Sequence, residues 1–90
     1  VASFQAVAAT GAIPVACDVD LRTGFMDVND AQKRLSAKTK AIMPVHYGSG
    51  TEGLEEVYEL AKKHGLRVIE DAAHSFGGTY KGKPIGAEGD

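Results

Sequence analysis

Three apolar segments begin at residues 13, 40 and 66, IPVACDV, KAIMPVHY and LRVIE, and a helix-forming stretch fits between each pair. A repeat of about 26 to 27 residues is the length of successive βαβ units. Crossovers of that kind are right-handed and build an open, mostly parallel sheet. KAIMPVHY is apolar almost throughout, as a strand covered on both faces would be. An α/β fold is therefore expected. The opening stretch predicts an apolar helix stopped by Gly11 and entering a buried strand over Ile13 to Val19. Residues 21–28 read as loop, with Thr23-Gly24 as its turn. Asn29 and Asp30 are candidate N-caps for a short helix to about Ala37, with Ala31 and Leu35 on one face. Leu54, Val57, Tyr58 and Ala61 follow helical spacing, Glu59 and Lys63 form an i, i+4 pair, and Gly65 ends that helix. TYKGKPIG predicts a small hairpin turning at Lys81-Gly82.

Composition narrows the function. Ten basic residues against twelve acidic ones leave a net charge of −2, which removes the electrostatic case for nucleic acid or a membrane surface. Cys17 is the single cysteine, so no internal disulfide can form, and His46, His64 and His74 lack metal-ligand spacing. The first seventeen residues carry no charge, yet they have no basic flank for a signal peptide, and Gln5, Thr10, Gly11 and Pro14 interrupt any membrane span. Ninety residues allow one small domain. An apolar start without Met and an end on a turn are expected of a segment of a longer chain. By itself such a segment should be inert and poorly folded, with unpaired sheet edges.

In open α/β sheets, ligands bind beyond the carboxyl ends of the strands. Two loops there carry candidate chemistry. Gly48-Ser49-Gly50-Thr51-Glu52-Gly53 is a literal G-x-G-x-x-G with Glu70 and Asp71 downstream, the pattern of an NAD(P)-binding oxidoreductase. Against it, Glu52, Glu55 and Glu56 crowd the helix start where a pyrophosphate would sit, and His46-Tyr47 are bulky. Its plainer reading is a βα loop with a Ser49…Glu52 capping box. The second loop ends the strand Val68-Ile69-Glu70-Asp71 with Ala72-Ala73-His74-Ser75. Strand alternation would put Asp71 and Ala73 on one face. A carboxylate beside a methyl-sized residue can hold the edge of a flat cationic ring and leave its face free. Equally, strand-end acids can cap a turn and His74 can be a solvated loop residue.

VASFQAVAATGAIPVACDVD, TKAIMPVHYG and AKKHGLRVIEDAAHSFGGTYKGKPIGAEGD together resemble the DegT/DnrJ/StrS family of sugar aminotransferases, which depend on pyridoxal 5′-phosphate. IEDAA followed by Gln or His is close to a family signature. The resemblance covers essentially the whole chain and implies the three-layer α/β/α large domain of fold-type-I enzymes, here in part. It implies that Asp71 pairs with the pyridine nitrogen, that Ala73 lies against one ring face, and that His74 contacts the phenolic oxygen. His46 and Tyr47 fall, more weakly, at the substrate pocket, and Gly86, Gly89 and Asp90 match the run that introduces the next strand. No catalytic residue is assigned here: the Schiff-base lysine and a phosphate-binding Ser are expected beyond Asp90, and a stacking aromatic before Val1. The small C-terminal domain is likewise outside these residues. Lys81 and Lys83, on the hairpin, are not assigned that role.

The implied activity moves an amino group from an amino acid, glutamate or glutamine, to a keto-sugar nucleotide in polysaccharide or antibiotic biosynthesis. The implied enzyme is a cytoplasmic homodimer. Two alternatives stand beside it: the NAD(P)-dependent oxidoreductase, and a non-catalytic regulatory protein on the same cofactor fold.

Overall fold

A computed structural model describes residues 1–90. Its elements are α1 (Ala2–Ala9), α2 (Val28–Arg34), β1 (Ala41–Ile42), a 3-10 turn (Tyr47–Ser49), α3 (Leu54–His64), β2 (Arg67–Val68), β3 (Thr79–Tyr80) and β4 (Lys83–Pro84).

The parallel pair β1 and β2 organises the rest. Ala41 faces Arg67 and Ile42 faces Val68, and a bridge between Val45 and Asp71 keeps the same offset. Along this ladder Arg67 N–H donates to Lys40 O at 3.1 Å, Ile69 N–H to Ile42 O at 3.0 Å and Asp71 N–H to Pro44 O at 2.9 Å. His46 N–H returns the last bond to Asp71 O at 3.0 Å. The one bond that alternation requires of residue 44 is missing, because a proline has no N–H to give to Ile69. Pro44 thus splits the expected strand over residues 40–47 into a short strand and a bridge, without changing its register.

α3 covers one face of this sheet and α2 packs on α3. Leu54, Val57, Leu60 and Ala61 from α3 meet Ile42, Val68, Ala31 and Phe25 in a single core. Gly65 closes α3 with φ 65° and donates N–H to Lys62 O. That left-handed conformation suits glycine at a helix end. One covered face makes two layers within these residues.

Three expectations change. Ile13 to Val19 forms no strand; its sole ladder contact is a bridge between Val19 and Met26. High β propensity cannot make a strand without a neighbour to pair with, and Ile13 and Val15 stay exposed. Accordingly, α1 has no buried residue. The cap of α2 is Asp27, not Asn29 or Asp30: its Oδ1 accepts from Asn29 N–H at 2.8 Å and Asp30 N–H at 3.3 Å. Asp30 instead holds Asp18 N–H and Arg34. Finally, the N-cap of α3 is Gly53, which makes no side-chain cap bond, so the Ser49…Glu52 capping box does not form. The hairpin turns at Lys81 and Gly82 as expected, with φ 49° and 77°. Two positive φ values mark the turn that matches strand twist.

Replacing Asp27 with Ala should lower the opening free energy of α2 by about 1 kcal/mol, read by amide hydrogen exchange across residues 28–35. Asn29→Ala should change it by less than half as much. Equal effects would contradict the cap assignment.

Candidate functional site

Asp71 stands at the carboxyl end of the parallel ladder, its backbone bonded to both Pro44 and His46. Its side chain is half-buried and accepts from the Ser3 hydroxyl on α1 at 2.5 Å and from Ala73 N–H at 3.3 Å. Ser3 holds the carboxyl below the usual range of an aspartate, with Ala73 N–H and then the nearby histidines adding to it. Both donors thus favour the ionised form of Asp71. The Ala73 contact also shows where the strand ends: Asp71 caps the following turn with its own side chain. Ala73 reaches Asp71 through that turn, not through strand alternation. Both Ala73 and His74 are exposed.

His74 is held from across the sheet. Gly48 N–H donates to its Nδ1 at 3.3 Å, the Ser49 hydroxyl donates to its carbonyl, and the exposed Tyr47 ring lies 6.1 Å away, tilted by 54°. The glycine-rich loop therefore folds back onto the Asp71 strand. Glu55 and Glu56 occupy the first turn of α3, a poor seat for a pyrophosphate.

His46 has no exposed surface. Within these residues it is enclosed beneath the glycine-rich loop. Its Nδ1 donates to Gly50 O at 2.9 Å, since a carbonyl can only accept. Its ring packs 6.0 Å from Phe25, and its Nε2 faces the buried Glu70 carboxyl at 3.7 Å, beyond hydrogen-bond reach. Glu70 in turn accepts from Tyr58 at 3.0 Å, while burial, then that bond, pushes the Tyr58 hydroxyl well above its ordinary range. Neighbouring acids at 70 and 71 thus part company, one enclosed under α3 and one turned to the open side.

Other candidates fall away. Lys81 pairs with Glu55 at 2.9 Å and Lys83 with Glu88 at 2.6 Å, both on the surface of the hairpin. Burial, with Asp30 nearby, pushes the Cys17 thiol up to about 11, which disfavours its thiolate. Ala73, Ser75, Phe76, Gly78, Pro84 and Ile85 line an open hollow of about 440 Å³. Neither Asp71 nor His74 borders it, so it is not the seat of a ring held by Asp71.

Residues 1–90 match the DegT/DnrJ/EryC1/StrS aminotransferase family. The chain belongs to this family. It is 46% identical over all its 90 residues to GDP-perosamine synthase of Escherichia coli O157:H7, and covers 25% of that protein. Among solved structures it resembles S. venezuelae DesV in complex with a ketimine intermediate, at TM-score 0.89 and 38% identity, with 96% of this chain and 23% of that one covered. It also resembles NtdA of Bacillus subtilis with bound cofactor PMP, at TM-score 0.79 and 33% identity, with 89% of this chain and 18% of that one covered. The chain thus spans about a quarter of the length of its curated relative. These neighbours place the fold with the aminotransferases, and neither the nicotinamide reading nor the regulatory one finds support among them.

Removing the Ser3 hydroxyl should shift the Asp71 titration upward in a carbon-13 carboxyl NMR experiment on Ser3→Ala. A carboxyl depressed by folding stabilises the fold above its unfolded pKa, and that contribution is lost as pH falls through the folded value. Ser3→Ala should therefore reduce the acid sensitivity of α1 docking as well. An unchanged Asp71 midpoint would show that the hydroxyl does not set it.

Proposed function

We propose that these residues are part of the cofactor-binding large domain of a pyridoxal 5′-phosphate-dependent aminotransferase. Its substrates would be a keto-sugar nucleotide and an amino-acid donor, glutamate or glutamine. The observation that carries the reading is the Asp71 carboxylate, held anionic and part-open at the end of the parallel ladder. The family match and the relatives' names support the substrate class.

The residues fit such a cofactor. A carboxylate offers about four acceptor positions, and Ser3 and Ala73 use two. Asp71 can therefore also accept from a protonated pyridine nitrogen, and its pairing keeps that proton in place. Ala73 adds only a methyl group beside it, which leaves room for a ring face. His74 would contact the ring's phenolic oxygen, and Tyr47, whose ring lies beside His74, would face the substrate. When bound, pyridoxal phosphate supplies an electron sink for the carbanion left by loss of a proton from the amino acid. Asp71 strengthens that sink electrostatically, so its charge matters more to the reaction than to holding the cofactor.

In this reading the third layer, the small domain, the Schiff-base lysine and the phosphate-binding residues come from other parts of the protein. The bare Ile13, Leu21 and Phe76 side chains support a larger packing context. No helix is long and apolar enough to cross a membrane. We place the enzyme in the cytoplasm as a homodimer, in antibiotic or polysaccharide biosynthesis.

Asp71→Ala in the full-length enzyme should lower kcat by about three orders of magnitude or more, with a smaller loss of cofactor affinity. His74→Ala should retain partial activity with an altered cofactor absorbance. Near-normal turnover by Asp71→Ala would sink the assignment.

A further inference from the structure

The glycine-rich loop is tied at both ends of its turn. On its inner side the enclosed His46 donates through Nδ1 to Gly50 O at 2.9 Å. Ser49 N–H donates to His46 O and Gly50 N–H to Tyr47 O, each at 3.1 Å. Two successive left-handed residues, Gly48 at φ 59° and Ser49 at φ 67°, turn the chain between these bonds. For Ser49 that conformation is costly and has to be held by its surroundings. What the turn accomplishes is to aim the Gly48 N–H at His74 Nδ1, 3.3 Å away, and the Ser49 hydroxyl at the His74 carbonyl.

We infer that the Gly48–Gly50 loop is a positioning element that fixes His74 as a one-way donor: Gly48 occupies Nδ1, which leaves the ring proton on Nε2 for an acceptor oxygen of the ligand. The chemistry is forced by the partner. A backbone N–H can only donate, so the nitrogen it meets must present a lone pair, and a neutral imidazole then carries its single proton on the other nitrogen. The Ser49 bond restrains the backbone of His74, and the Tyr47 ring beside it limits the swing of the imidazole. His46 acts through the loop, which gives its burial a purpose at the site. The identity of the acceptor, the phenolic oxygen of the cofactor ring, rests on the proposed function; the tautomer does not.

The test uses nitrogen-15-labelled full-length protein, first without cofactor. Two resolved His74 nitrogens are expected, Nδ1 unprotonated and Nε2 protonated, where a free imidazole would exchange between tautomers and average them. The Gly48 amide should exchange about five- to tenfold faster in His74→Ala than in the wild type, the worth of one ordinary hydrogen bond. The Ser49 amide, bonded to His46, should not change. Ser49→Ala should leave the protein folded and bring partial averaging of the His74 nitrogens. A proton on Nδ1, averaged nitrogens in the wild type, or equal Gly48 exchange in the two proteins would overturn the inference. Pyridoxal 5′-phosphate is then added: movement of Nε2 alone supports the donor direction, and movement of Nδ1 with loss of the Gly48 protection overturns it. Failure of the cofactor to bind at all would defeat the proposed function, with the tautomer already decided by the first two measurements.

Discussion

The structure depends on one short parallel ladder, residues 40–46 against 67–71, whose last bonds clasp Asp71. Its N–H is given to Pro44 and its carbonyl receives His46, so the backbone that bears the carboxylate cannot drift. Everything else positions the ladder or uses its end. α3 seals one face with Leu54 and Val57, both fully enclosed. Asp90 braces the outer edge of β2, donating N–H to Val68 O at 2.8 Å while its carboxylate accepts Val68 N–H at 2.9 Å. A binding site beyond strand ends gains rigidity from such bonds without spending side chains on it.

Two neighbouring acids illustrate how the ladder divides labour. Alternation sends Glu70 inward, where Tyr58 holds it and His46 faces it, and sends Asp71 outward to Ser3. The inner group therefore serves the packing beneath the site, and the outer one stays available as an anion. Three segments distant in sequence, α1, the loop at residues 48–50 and the turn at 72–75, converge on this single strand end. Their hydrogen bonds join backbone groups, Ser3, Ser49, the Asp71 carboxylate and the His74 imidazole, so the geometry is set by chain path more than by long flexible groups.

Much of this could be read from the residues because it is periodic or local. The stripe of Leu54, Val57 and Ala61 announces α3, Gly65 its end, and Lys81-Gly82 the hairpin. The strand-end position of Asp71 follows from the apolar run before it. Other features could not be read, for physical reasons. Ile13 to Val19 has the composition of a strand, but a strand exists only with a partner. Asp27, Asn29 and Asp30 all suit a helix cap, and the choice turned on which one had a free side chain once Asp18 and Arg34 had claimed Asp30. The bond from Ser3 to Asp71 spans most of the chain, so no spacing rule reaches it. The enclosure of His46 is equally hidden, because Pro44 breaks the visible strand pattern while the register continues beneath it. The glycine-rich loop has the spacing of a phosphate site that its acidic neighbours disfavour, and its partner, His74, lies in the turn beyond another strand.

The central claim is an ion pair between Asp71 and the cofactor's ring nitrogen. The most direct measurement is the nitrogen-15 chemical shift of that nitrogen in the full-length enzyme loaded with labelled pyridoxal 5′-phosphate. The account predicts a protonated pyridinium signal near neutral pH in the wild type, reverting to the unprotonated form in Asp71→Ala. An unprotonated ring nitrogen in the wild type, or one indifferent to the substitution, would contradict it.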